Sequence, residues 1–118
     1  MKVLALCSLF LSLNAFATTA VLCGDPATVD ANENKASVHL IFEHPENEFI
    51  EDLRVFFRGK EAVVVETKAF DSSYSIETKS PKARIEIKRS DVSYCESEDL
   101  FTLKLNSKTI KNCRCFEG

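Results

Sequence analysis

"DLRVFFRGKEAVVVETK", residues 52–68, decides how the rest of the chain is read. In its first half Leu53, Val55 and Phe57 alternate with Asp52, Arg54, Phe56 and Arg58. Successive side chains of an extended strand point to opposite faces, so a period of two predicts a strand with one apolar face. Gly59-Lys60 then reads as a tight turn, and "EAVVVETK" (61–68) resumes a β-branched run, which makes the pair a hairpin.

The same pattern continues on both sides. "ASVHLIFE" (36–43) puts Val38, Leu40 and Phe42 on one face and Ser37, His39 and Glu43 on the other, which predicts a solvated His39. "YSIETK" (74–79) and "ARIEIKR" (83–89) flank Ser80-Pro81-Lys82, and Ile85 and Ile87 alternate with Arg84, Glu86 and Lys88. "DVSYC" (91–95), "DLFTLKL" (99–105) and "TIKNCRCF" (109–116) follow as strands, with a last turn at Asn106-Ser107-Lys108. Turn signals at roughly 8–12-residue spacing between such runs favour an all-β fold, a small antiparallel β-sandwich or barrel of seven to eight strands. Two stretches depart from it. "GDPATVDANENK" (24–35) is polar and reads as a loop or weak edge strand, and "HPENEFIEDL" (44–53) could open a short helical turn at Pro45. No internal repeat, low-complexity tract or linker interrupts the single domain.

The first residues, "MKVLALCSLFLSLNAFA", combine Lys2, an apolar run over 3–13 and Ala15-Phe16-Ala17, the pattern of a secretory signal peptide. The run is too short for a permanent bilayer span, which takes about 20 residues. Cleavage is expected after Ala17, with Ala20 as the alternative, and Leu22 before Cys23 is too large for a lipoprotein signal. Residues 18–118 then form one exported domain, periplasmic or secreted, without a membrane span. Without Lys2 the 15 basic groups become 14 against 18 acidic ones, a net charge of −4. That balance argues against nucleic acid, whose binders need excess positive charge to displace counterions.

Cys7 leaves with the signal, so four cysteines remain: Cys23, Cys95, Cys113 and Cys115. An even count in a small exported chain reads as two disulfides. Residues two apart in a strand lie about 6.6 Å apart along it, at the upper edge of disulfide geometry. Cys113 and Cys115 are therefore expected to bond elsewhere, one to Cys23 and one to Cys95. Each such bridge is worth roughly 2–4 kcal/mol. The competing reading is a periplasmic metal site built on the same four thiolates, but the paired Cys-x₂₋₄-Cys knuckles of structural zinc are missing. A Cys-x-x-Cys redox motif is absent as well.

Catalytic signatures are equally sparse. His39 and His44 are the two histidines, and no serine lies in a Gly-x-Ser-x-Gly elbow. Three glycines do not make a phosphate loop. The acids around His44 (Glu43, Glu46, Glu48, Glu51, Asp52) lack the spacing and turn glycine of a calcium loop. No cofactor or metal is implied, and no enzyme is expected. "KSPKARIEIKR" (79–89) gathers Lys79, Lys82, Arg84, Lys88 and Arg89 in an otherwise acidic chain. These five, with Phe56, form a candidate interaction surface, although edge lysines also serve to discourage sheet association. The expectation is a non-catalytic module that binds another protein or an envelope component.

Overall fold

Alternating side chains produce a wall with two chemically different faces, and such a wall is stable when its apolar face is enclosed. The computed structural model, which describes residues 18–43, 50–93 and 100–117, shows how this chain encloses it. Eight strands are β1 (Thr18–Cys23), β2 (Val38–Glu43), β3 (Glu51–Phe57), β4 (Lys60–Ala69), β5 (Ser73–Lys79), β6 (Ala83–Lys88), β7 (Phe101–Leu105) and β8 (Lys108–Glu117). Each pairs antiparallel with the next, and β8 returns to β1, so the sheet closes into a barrel. An eight-stranded barrel is just wide enough to be filled by its own side chains.

The interior follows the period of two. Val38, Leu40 and Phe42 from β2, Val55 from β3, Tyr74 and Ile76 from β5, Ile85 and Ile87 from β6 and Leu103 from β7 are buried in one cluster. Full burial of one such aliphatic side chain stabilises by about 1.5–3 kcal/mol. The outward positions of β6 are Arg84, Glu86 and Lys88, all exposed. Charges outside and aliphatics inside are the reverse of a membrane-spanning barrel, which is apolar towards lipid. Among the described residues no helix is long and apolar enough to cross a membrane.

Turn chemistry sets the registers. Arg58 and Gly59, with φ of 51° and 81°, close the β3–β4 hairpin, the sign that two-residue hairpins require at both central positions. Gly59 is doubly constrained, since a Cβ there would sit 3.1 Å from the Cβ of Asn34. Asn106 and Ser107, at 52° and 70°, do the same between β7 and β8. The 80–82 turn begins with a cis Ser80–Pro81 bond.

The closing seam is covalent. Cys23 and Cys113 face each other across β1 and β8 and are joined by a disulfide with an S–S distance of 2.09 Å. Both are fully buried, so the bridge lies inside the barrel. Cys115, opposite Val21 on the same face, is also disulfide-bonded. Cys95 lies outside the described residues.

Four expectations need correction or fall outside the description. Residues 18–23, which the sequence pattern did not mark, form β1 and complete the barrel. Within "DVSYC" the described part is helical, as α2 (Arg89–Ser93). Its one apolar side chain, Val92, is fully buried in the barrel's core cluster, so a single turn of helix suffices to seat it. The polar stretch 24–35 is neither loop nor edge strand: it contains α1 (Pro26–Ala31) and a 3-10 turn (Glu33–Lys35). Pro26 in the first turn needs no partner for its missing N–H, and Val29 supplies the one apolar anchor, packing on Leu22 and Ala36. Finally, residues 44–49 lie outside the description, while Glu51 to Leu53 are already strand.

Candidate functional site

The segment between β1 and β2 lies beside His39, with Val29 packed on its cross-strand neighbour Leu22. Leu22, His39 and Phe56 form a row across the outward faces of β1, β2 and β3. The outer layer is fastened down by Ser37 N–H donating to the Cys23 carbonyl at 2.8 Å and Arg58 N–H to the Ala36 carbonyl at 3.1 Å. His39 is therefore buried, not solvated, and its ring centroid lies 5.4 Å from that of Phe56. Burial pushes the imidazole below its ordinary pKa, opposed in part by the nearby Glu33 carboxylate. Phe56 is half-buried, with His39 against it and the Arg54 guanidinium 5.1 Å from its centroid.

The basic hairpin residues do not form one patch. Lys79 and Lys82 are exposed at the β5–β6 turn and have no ion pair among the described residues. Arg84 is tied to Glu77 at 2.7 Å, and its hydrogen bond holds that carboxyl below the usual range. Lys88 projects at the opposite end of β6. Arg89 donates to the Phe70 carbonyl at 2.9 Å and lies over the Tyr74 ring, 5.2 Å from its centroid. Phe56 lies apart from them, on the outward face of β3 beside His39.

A cleft of about 410 Å³ opens where β6 and β7 diverge after their two registered pairs, Ile85 with Leu105 and Glu86 with Lys104. Ser72, Ser90, Thr102 and Thr109 contribute hydroxyls, and Glu86 and Lys88 contribute charge. A second, of about 610 Å³, lies between α1 and the barrel wall, against Leu22, Val29, Glu33 and Phe116. His39 lines neither. Among the described residues no three His, Cys, Asp or Glu side chains gather where they could hold a metal ion. The disulfide also removes the Cys23 and Cys113 thiolates from the four-cysteine metal set.

The most distinctive surface is an edge that sequence reading missed. β4 pairs with β3 at only three positions, Lys60 to Ala62 against Phe57 to Val55. Beyond them no β3–β4 pair occurs among the described residues, while β4 runs on along β5 as far as Ala69 opposite Tyr74. The edge of β4 from 63 to 69 that faces away from β5 has no strand partner among the described residues. A bulge at Val65, between the Val64–Thr78 and Glu66–Glu77 pairs, bends it. Val63, Val65 and Phe70 are 49%, 58% and 52% exposed. Glu66 and Lys68 lie between them, 3.8 Å apart and both exposed to water. Among the described residues this is the long unpaired edge that carries exposed apolar side chains beside its backbone donors and acceptors.

No protein-family model, curated protein or solved structure matches the chain.

Proposed function

We propose that this chain is an exported, non-catalytic β-barrel domain that works by binding protein, adding a strand of its partner to the free edge of β4. The observation that carries the reading is the stretch 63–69, which has no strand partner on one edge among the described residues, with Val63, Val65 and Phe70 exposed around it. An exposed edge supplies a ladder of main-chain hydrogen bonds, and alternate side chains supply selectivity. An apolar edge is ordinarily blunted, because it templates association; here the Val65 bulge, Glu66 and Lys68 interrupt it, yet Val63, Val65 and Phe70 remain exposed. The fully enclosed Cys23–Cys113 bridge and the leader-like residues 1–17 support an oxidising compartment, periplasmic or outside the cell. The cysteine-based metal reading receives no support from a set in which two thiols are joined to each other.

The test places a photoactivatable benzoylphenylalanine at Val65, with Thr109 on the flanked strand β8 as control, in the full chain exported by its own leader. The expected result is a light-dependent adduct from position 65 alone, mapping by mass spectrometry to one strand-forming segment and lost in the V63K variant. Equal adducts from both positions, or none from position 65, overturn the reading.

A further inference from the structure

We infer that the strand accepted by β4 is β4 of a second copy of this chain, paired antiparallel about a two-fold axis at Thr67. The inference rests on the strand-addition reading above and names its partner. It comes from the order of residues along the free edge: Val64, Val65, Glu66, Thr67, Lys68, Ala69, Phe70. Two apolar residues, an acid, a threonine, a base and two apolar residues read alike in chemical character from either end, with the charges exchanged. Antiparallel pairing about Thr67 places Glu66 opposite Lys68 of the second copy, and Lys68 opposite its Glu66. Beyond the charge pairs the Val65 bulge interrupts the ladder, and the exposed Val65 and Phe70 flank it at either end.

Such self-complementarity is what an isologous two-fold contact demands, because one patch must recognise itself. The faces agree as well. Within the barrel, Thr67 opposes the inward Ile76, whereas Glu66 opposes Glu77 and Lys68 opposes Ser75 on the outward side. The proposed charge pairs therefore lie together on one face of the joined sheet. Any other register sacrifices them: a shift of the axis by half a residue moves Glu66 from Lys68 to Thr67 or to Lys68's neighbour Ala69. Cross-strand pairs of opposite charge stabilise, and like charges directly opposite destabilise. Among the described residues β3 pairs with β4 no further than Val55 opposite Ala62, which leaves this edge without a strand. One strand pair is a small interface, and small interfaces are weak, so association belongs to the micromolar range or above.

Sedimentation equilibrium of the mature domain over about 1 μM to 1 mM, at low and high salt, tests this. The expected result is a monomer–dimer equilibrium. E66K and K68E, each placing two like-charge pairs across the axis, weaken it by about ten-fold or more. The doubly exchanged E66K/K68E recovers to within about three-fold of the original. V65K, checked by circular dichroism for an intact barrel, abolishes the dimer. A protein that stays monomeric throughout overturns self-pairing, and so does a dimer indifferent to the charge exchanges. If the monomeric protein still yields the position-65 adduct with a different protein, strand addition survives and the second copy is excluded; if it yields no adduct, both fail.

Discussion

Replacing Cys23 and Cys113 together by alanine should remove as much stability as a large core truncation. The bridge joins residues 90 apart in sequence. Closing a loop of that length lowers the entropy of the unfolded chain by an amount worth about 4.6 kcal/mol at 25 °C in the chain-entropy model. The disulfide at Cys115 already restricts the same unfolded ensemble, which reduces the expected loss to about 3–4 kcal/mol. Both cysteines must go together, because a lone buried thiol two residues from Cys115 invites exchange. Urea unfolding followed by circular dichroism gives the midpoint and the slope separately. If the bridge acts through the unfolded state, the midpoint falls and the slope rises, since an unlinked chain exposes more surface. The melting temperature should fall by about 12 °C or more, at about 4 °C per kcal/mol or above for a domain of this size. A loss below about 1 kcal/mol with an unchanged slope would refute the reasoning. It would mean that the β1–β8 ladder holds the seam unaided.

Three further outcomes follow from buried polar groups and from the start of the domain. His39 has a folded-state pKa below its unfolded value near 6.5, so the unfolded chain binds the extra proton first. Its contribution is complete above that value and is lost as pH falls through 6.5 towards the folded pKa. Urea midpoints between pH 7.5 and 5.5 should therefore fall more steeply for the wild type than for H39F, and most steeply for E33Q, which lacks the opposing carboxylate. The Thr19 hydroxyl is buried with no hydrogen-bond partner among the described residues, so the near-isosteric T19V should stabilise by about 1 kcal/mol in the same assay. Intact-mass measurement of the exported protein should give a chain starting at Thr18. Cleavage after Ala20 would remove three of the six residues by which β1 pairs with β2.

Most of the barrel was legible because its strands keep strict alternation. β6 is the cleanest case, with Ala83, Ile85 and Ile87 buried and Arg84, Glu86 and Lys88 exposed. Strand number was right for a partly wrong reason: the helix at 89–93 was counted as a strand, and β1 was not. β1 was hidden because its apolar residues adjoin an apolar leader, which blurs the point where a period of two begins. His39 was misplaced for a tertiary reason. Alternation assigns a face but does not say what packs on it, and His39 is buried with Phe56 of the next strand against it and Glu33 of the preceding turn nearby. The basic residues of 79–89 were visible as charge, but whether each is spent on a partner depends on register, which brings Glu77 beside Arg84. The β4 edge was beyond sequence reading for the same cause. "VVVETK" reads as a strand whichever neighbours it has, and where its pairing with β3 stops is a matter of register that its own residues do not encode.

Amide hydrogen exchange, resolved by residue, tests the account at its centre, because everything proposed for this chain requires β4 to lack a neighbour within its own molecule. In dilute solution the alternate amides of 63–69 that point away from β5 should exchange quickly. Those of β1 and β8 across the Cys23–Cys113 seam should be among the slowest. On concentration, the quick amides should slow in step with the sedimentation measurements. Protection of 63–69 equal to that of β5 at every concentration would contradict the account, since the edge would then be covered by the chain itself.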